Sequence, residues 1–212
     1  MTKQLIILGA SGHGKVAADC AEATGEYDSI AFLDALYPDE CSLGEWPILE
    51  KPENAHMFCN ENTFFFVAIG NNFIRKELLS GLLQHNFNVI SLIHPRSVVS
   101  PYAKISHGVL VCANATINPM AKVGIGVIVN TAASIDHDCV IGDFAHVSVG
   151  VRLAGAVVVG SNSFVGINSC AIQGVTIGKN CILGAGATLI SDLPDNTTAV
   201  GTPAKVIKTR EI

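Results

Sequence analysis

From Val99 onward, a branched apolar residue returns every sixth position. It stands at Val99, Ile105, Val111, Ile117, Val123, Val129, Ile135, Ile141, Val147, Leu153, Val159, Val165, Ile177, Leu183 and Leu189, and only Ala171 breaks the series. Four residues after these positions the chain carries mostly small side chains: Ala103, Ala115, Ala121, Ala133, Cys139, Ala145, Ser163, Ser169, Cys181 and Ala187. Glycine follows the branched residue at Gly124, Gly142, Gly160 and Gly178, one every eighteen residues. Eighteen is three sixes, so the pattern predicts coils with three flat faces whose equivalent positions stack coil upon coil. A six-residue beat with β-branched residues and glycine corners marks a parallel β-helix, not an α-solenoid. The branched residue points into the prism, the small one fits its narrow corner, and the run allows just over five coils.

Residues 1–92 lose this beat. Leu5–Leu8 reads as a buried strand, followed by Gly9-Ala10-Ser11-Gly12-His13-Gly14-Lys15 and a helical pattern through Val16, Ala17, Cys20 and Ala23 that ends at Gly25. Ile30–Leu33 reads as a second strand with Asp34 at its end, and Phe64–Ile69 as a third that opens into Gly70-Asn71-Asn72. An amphipathic helix from about Phe73 to Gln84 and a strand at Val89–Ile93 complete a small parallel α/β domain of Rossmann-like type. The expected organisation is therefore a Rossmann-like domain over 1–92 and a β-helix over 93–212.

The glycine loop narrows what the first domain can hold. Its order, G-x-x-G-x-G, fails the dinucleotide fingerprint G-x-G-x-x-G. Gly9 to Lys15 fits a phosphate-binding P-loop, but Val16 stands where that loop needs a magnesium-binding hydroxyl, which argues against ATP hydrolysis. What remains is a set of backbone N–H groups at a helix N-terminus, suited to a phosphate or carboxylate. A tight strand–helix turn with no ligand is the plainer alternative. Asp34, at the tip of the next strand, stands where such folds hold a ribose or base.

Composition excludes several classes. Apolar residues make up 49% and charged residues 15%, unlike a disordered tail or coiled coil. The net charge of −5, with no basic run, makes nucleic acid an improbable partner. No apolar stretch approaches the roughly 20 residues of a membrane helix. The seven cysteines form no C-x-x-C pair and read as reduced core thiols of a cytoplasmic protein.

Within the coils, Asp136-His137-Asp138 stands out. With Ile135 and Ile141 inward, His137 should project from the prism, and a carboxylate from Asp138 or Asp136 would fix its tautomer and raise its basicity, as a general base requires. A surface histidine beside an acid is also a common solvated feature. His146 lies nine residues on, on the adjoining face.

The hexads, Gly9-Ala10-Ser11-Gly12-His13-Gly14-Lys15, Ala68-Ile69-Gly70-Asn71-Asn72, His137-Asp138-Cys139-Val140-Ile141-Gly142 and Val200-Gly201-Thr202-Pro203-Ala204-Lys205 together resemble one family from end to end. It is the bacterial sugar O-/N-acetyltransferases of the sialic-acid and bacillosamine type. The resemblance implies a left-handed β-helix, a homotrimer, and acetyl-CoA and a UDP-linked amino sugar meeting between neighbouring subunits, with no metal. It implies His137 as general base, with Asp138, where the family usually has Glu, as its partner. His146, Gly155, Ile167 and Ala185 would contact acetyl-CoA. Ser11, Gly12, His13, Asp34, Ile69 and Gly70 would contact the nucleotide sugar, although Ala35 stands where a second acidic residue is common. The implied reaction is N-acetylation of the 4-amino group of a UDP-4-amino-4,6-dideoxy-N-acetyl-hexosamine.

Three other readings compete. Sialic acid or another sugar could be O-acetylated. A zinc site like that of β-helical carbonic anhydrases would draw on His107, His137 and His146. A non-catalytic nucleotide-sugar-binding trimer would tolerate any residue at 137.

Overall fold

The computed structural model describes residues 2–209, and the chain divides into two compact units, Met1–Pro95 and Arg96–Ile212. In the first unit, β1 (Gln4–Leu8), β2 (Ser29–Leu33), β3 (Ser42–Leu43), β4 (Trp46–Glu50) and β5 (Thr63–Val67) form one sheet in the order β3-β4-β2-β1-β5. Every pairing is parallel except the β3–β4 hairpin. The apolar runs are buried on both faces, as a covered parallel sheet demands. Helix α1 (Gly12–Thr24) ends at Gly25, whose φ of 66° lets its N–H return to the Glu22 carbonyl. Helix α2 (Asn72–Gln84) starts under Asn71, whose side chain accepts from the Phe73 and Ile74 amides.

Two stretches of the first unit differ from the sequence expectation. The β3–β4 hairpin and a 3₁₀ helix over Pro52–Phe58 fill the stretch between the second and third expected strands. Pro47 obscured β4, because proline in a strand fits only near a sheet edge, which is where β4 lies. Val89 contributes only an isolated bridge to Phe65, and the regular strand there is confined to Leu92–Ile93.

The second unit is a three-sided parallel β-helix of two-residue strands. One face stacks Val98–Val99, Thr116–Ile117, Ser134–Ile135, Arg152–Leu153, Cys170–Ala171 and Thr188–Leu189. The next face stacks Lys104–Ile105, Lys122–Val123, Val140–Ile141, Val158–Val159 and Thr176–Ile177. The third runs from Leu110–Val111 through Ile128–Val129, His146–Val147 and Phe164–Val165 to Ile182–Leu183. Register is eighteen residues per coil, as in Ser134↔Arg152, Val140↔Val158 and His146↔Phe164. From Val111 onward the sixth-residue positions line a continuous buried core, each Val, Ile or Leu contributing roughly 1.5–3 kcal/mol.

The corners explain the remaining pattern. The third residue after each inward position turns left-handed, from Gly108 through Asn114, Met120, Gly126, Ala132 and Asp138 to Gly186. Asparagine recurs there because it tolerates this region better than most side chains, and it forms a ladder from Asn162 to Asn180 to Asn196. Gly142 is required by close approach, since a Cβ there would lie 2.6 Å from the Ser161 amide nitrogen. The last coil is shorter by two residues: Ile177 bridges Leu193, and Ile182 pairs with Thr198. Strand Thr197–Val200 then turns back antiparallel onto Lys205–Thr209.

Candidate active site

The eighteen-residue register puts His137 one coil before Gly155, and Asn118 one coil before Asp136. The imidazole stands out from its corner with its side chain about 60% exposed, and Nδ1 lies 2.8 Å from Asp138 Oδ2. A carboxylate accepts only, so the shared proton rides on Nδ1 and Nε2 presents a lone pair to solvent. Asp138 occupies a left-handed corner with φ 61°, a backbone state that a short Asp adopts more readily than most residues. That gives Asp, in place of the longer Glu, a local structural reason.

Asp136 does different work. Its Oδ1 accepts from the His137 backbone amide at 2.8 Å and from Asn118 Nδ2 at 2.8 Å. These two bonds, the Asn118 one foremost, hold the Asp136 carboxyl below its ordinary range. The Asp138 bond, and then the Asp136 charge, raise the pKa of His137 above the usual imidazole value. So both acids act on the histidine, one through its ring and one through its backbone. Asn118 was not singled out in the sequence, but it lies one coil before Asp136 and the period points to it.

Gly155 leaves the imidazole its place. A Cβ built on Gly155 would lie 2.5 Å from His137 Cε1 and 2.6 Å from Nε2, so only glycine allows the ring to rest where it does. The Gly155 carbonyl accepts from the Gly174 amide, tying this corner to the next coil. Ile167 and Ala185, eighteen residues apart, stack on the neighbouring corner and are both exposed. Between the two corner columns the flat face holds a groove of about 480 Å³, lined by Asp136, Arg152, Ala154, Cys170, Ile172 and Gln173 among others. Gly155, Ile167 and Ala185 therefore flank one groove that begins beside the Asp136–His137 corner.

His146 lies elsewhere, on the third face between Ile128 and Phe164. It is buried, edge-on to the Phe164 ring at 5.0 Å, and its Nε2 is 3.1 Å from Asn130 Nδ2. Asn130 Oδ1 in turn accepts from the Thr131 amide, which fixes the amide orientation so that Nδ2 donates and Nε2 accepts. One protomer does not bring His137 and His146 onto one surface. His107 lies on another corner again, and among the described residues no group of three or more His, Cys, Asp or Glu side chains is placed to hold a metal ion. Cys139 is buried with its thiol against the Ala154 carbonyl, and burial raises its pKa, which keeps it protonated.

In the first unit the candidate residues collect at the carboxyl ends of β2, β1 and β5, three adjacent parallel strands. Asp34 follows β2, Ser11, Gly12 and His13 follow β1, and Ile69 and Gly70 follow β5. This edge is where open α/β sheets hold ligands. The Asp34 carboxylate already clamps the loops, accepting from the Ala10 amide at 2.6 Å and the Leu36 amide at 3.0 Å. Arg75, only 1% exposed, reaches under the last loop, donating to the Ile69 carbonyl at 2.8 Å, the Gly70 carbonyl at 3.2 Å and Asn72 Oδ1 at 2.9 Å. Burial, helped by the Arg75 charge, pushes His13 down to about 4, so its imidazole is neutral at physiological pH. Arg75 was not a sequence candidate, since nothing in a helical Arg at that position announces burial.

Residues 4–82 match the PglD N-terminal domain, and residues 156–191 match the hexapeptide repeat of succinyl-transferase. The acetyltransferase domain of PglB from Neisseria gonorrhoeae, solved with acetyl coenzyme A, is 38% identical with a TM-score of 0.94, covering 98% of this chain and all of that one. PerB from Caulobacter crescentus, solved with CoA and GDP-perosamine, is 37% identical with a TM-score of 0.88 over 97% of each chain. The UDP-N-acetylbacillosamine N-acetyltransferase of Bacillus subtilis is 35% identical over 114 residues, 52% of each sequence, so the match spans about half of that curated relative. The α/β unit followed by a left-handed β-helix is thus a shared architecture, and the chain belongs to the hexapeptide-repeat family of bacterial amino-sugar acetyltransferases that includes these proteins.

Proposed function

We propose that this protein transfers the acetyl group of acetyl-CoA to the 4-amino group of a UDP-4-amino-4,6-dideoxy-N-acetyl-hexosamine. The observation that carries the reading is the His137–Asp138 pair on its glycine-floored corner, at the mouth of a groove flanked by Gly155, Ile167 and Ala185. The neutral amine attacks the thioester carbonyl directly, forming the C–N bond and a tetrahedral oxyanion whose collapse breaks the C–S bond and releases CoA thiolate. His137 Nε2 takes the amine proton, while the Nδ1–H bond to Asp138 stabilises the resulting imidazolium. Such a base contributes roughly 10²–10⁴-fold. The tetrahedral oxyanion needs a fixed donor, supplied by His146 or a backbone N–H near Gly155. Much of the remaining acceleration comes from holding two bulky nucleotides in register.

The first unit would hold the nucleotide of the acceptor through Ser11, Gly12, His13, Asp34, Ile69 and Gly70. A homotrimer is favoured because His137 and His146 sit on different faces of one prism, and a neighbouring copy would bring the second histidine to the first. We place the reaction in the cytoplasm, where acetyl-CoA and nucleotide sugars are made; among the described residues no helix is long and apolar enough to cross a membrane.

The test is mass spectrometry of acceptor sugars incubated with acetyl-CoA and purified protein. The panel is UDP-4-amino-4,6-dideoxy-N-acetylglucosamine, GDP-perosamine and free sialic acid. A UDP-sugar product one acetyl heavier is expected. A preference for GDP-perosamine would move the nucleotide assignment, acetylated sialic acid would establish the O-acetyltransferase alternative, and absence of acetyl-CoA binding would overturn the reading.

A further inference from the structure

The coil before the His137 corner holds that corner in place. Asn118 and Pro119 stand one coil before Asp136 and His137. The Asn118 amide donates to the Ile135 carbonyl at 3.0 Å, and its own carbonyl accepts from the Ala121 amide at 3.3 Å. Pro119 disfavours the helical region for the residue before it, and its carbonyl accepts from the Asp138 amide at 3.2 Å. The Asn118 backbone is therefore fixed from both sides, and its side chain projects from a rigid support. A carboxylate only accepts, so Nδ2 is the Asn118 atom that faces Asp136. It donates to Asp136 Oδ1 at 2.8 Å, the same oxygen that takes the His137 amide at 2.8 Å.

The surroundings give this bond something to prevent. Asn118, Asp136 and Arg152 line the same groove. Arg152 donates to the Ala132 and Val151 carbonyls, and it makes no ion pair among the described residues. A carboxylate released by Asn118 has that guanidinium to turn to, which would draw its charge away from the imidazole. A charge-assisted hydrogen bond from a rigid donor outweighs an exposed ion pair, so Asp136 stays with Asn118. The other charged and titratable groups around the corner lie apart from this bond. Asp138 is on the His137 ring, Lys104 and Lys122 line a hollow with Asp138, Cys170 lines the groove, and Cys139 is buried inside the prism.

We infer that Asn118 is a positioning residue of the transfer reaction: it holds the Asp136 carboxylate against the His137 amide, fixing the backbone from which the base projects and keeping a negative charge beside the imidazolium that forms. The inference rests on the acetyltransferase reading. Asn118 acts on the base through Asp136 and not on the reacting atoms. An amide suits this role because it donates without carrying charge. A lysine would cancel the charge it holds, and an aspartate would repel it. The electrostatics run the same way, since the Asn118 bond is the foremost cause of the lowered Asp136 pKa, and the Asp136 charge helps to raise that of His137.

The experiment is a double-mutant cycle of Asn118→Ala and Asp136→Ala, with Asn118→Asp as a variant that keeps the shape and removes the donor. It reads kcat, both KM values, the pH profile of kcat/KM, Tm, and the His137 pKa by NMR titration of the protein without substrates. Asn118→Ala should lower kcat about tenfold, less than the roughly 10²-fold cost of moving a reacting group by 1 Å. Both KM values and Tm should hold. Its acidic limb should move to lower pH, because the imidazole loses part of the charge that raises its pKa. In the Asp136→Ala background the same change should cost nothing further, in rate or in His137 pKa. Asn118→Asp should lose as much kcat at alkaline pH and approach wild type toward acid, where a shared proton restores the bond. An unchanged kcat and limb in Asn118→Ala overturns the inference and leaves the acetyltransferase reading intact. A loss that is as large without Asp136, or one that follows a fall in Tm, equally overturns it. Absence of transfer by wild type is a failure of the underlying reading, and the NMR cycle still decides whether Asn118 acts on His137 through Asp136.

Discussion

Replacing Gly155 by alanine probes the site through a single methyl group. The new Cβ would stand 2.5 Å from His137 Cε1, 2.6 Å from Nε2 and 3.2 Å from Nδ1. Comfortable carbon contacts begin at about 3.5–4.0 Å, so the ring must retreat by about 1 Å. Only the Asp138 hydrogen bond resists that movement, because the imidazole is about 60% exposed and Gly155 does not have the left-handed backbone of the corner residues. The fold should therefore keep its stability to within about 0.5 kcal/mol, as surface substitutions do. Catalysis should not. A misplacement of this size costs on the order of 10²-fold, or about 2.7 kcal/mol of transition-state stabilisation. The shift also strains the bond to Asp138, which lies on the same ring. The assay is kcat and both KM values by mass spectrometry of the acetylated sugar, with a thermal melt alongside. The expected outcome is a loss in kcat with a nearly unchanged melt. An unchanged kcat with a raised acetyl-CoA KM would instead make Gly155 a contact of the donor alone and remove its role in seating the imidazole.

Three further outcomes follow from the same geometry. Asp138 raises the His137 pKa, and a general base works only when deprotonated, so Asp138→Asn should move the acidic limb of the kcat/KM profile to lower pH while lowering its plateau; an unmoved limb would place the titration elsewhere. His13 is pushed from an ordinary 6.5 to about 4, so its neutral form stabilises the fold above pH 6.5 and this is lost as pH falls toward 4, about 3 kcal/mol in all. Unfolding followed by the single Trp46, which lies in the first unit, should show that loss in wild type and a flatter profile in His13→Gln. Ile135→Ala, at a fully buried inward position, should cost about 2–5 kcal/mol in chemical denaturation; a smaller loss would mean that the prism collapses to fill the gap.

The β-helix was legible because its sequence period and its structural period are the same quantity. Once Ile117, Ile135 and Leu153 are recognised as one column, strand positions, faces and inward residues follow from counting. The same counting stacks His137 on Gly155 and Asn118 on Asp136, so that part of the site was readable as register. The Asp136-or-Asp138 question was not, because side-chain torsions and not spacing decide which carboxylate reaches Nδ1. In the first unit, strands made of continuous apolar runs were found and the short Pro47-containing strand was missed, since its pattern is too brief to carry a period. Arg75 was invisible for a different reason: its burial depends on carbonyls of the Ile69–Gly70 loop turning inward, a tertiary event with no local signal. The short final coil at Ile177–Leu193 and the closing hairpin likewise depend on how the prism ends and not on how it repeats.

The most direct measurement of His137 as the base is a time course of acetyl transfer from acetyl-CoA to UDP-4-amino-4,6-dideoxy-N-acetylglucosamine, run side by side for wild type and His137→Ala with CoA binding measured for both. An N-acetylated product is expected from wild type, and a rate lower by roughly 10²–10⁴-fold in the variant, with CoA binding retained. Transfer by His137→Ala at the wild-type rate would contradict the assignment of His137 as the base.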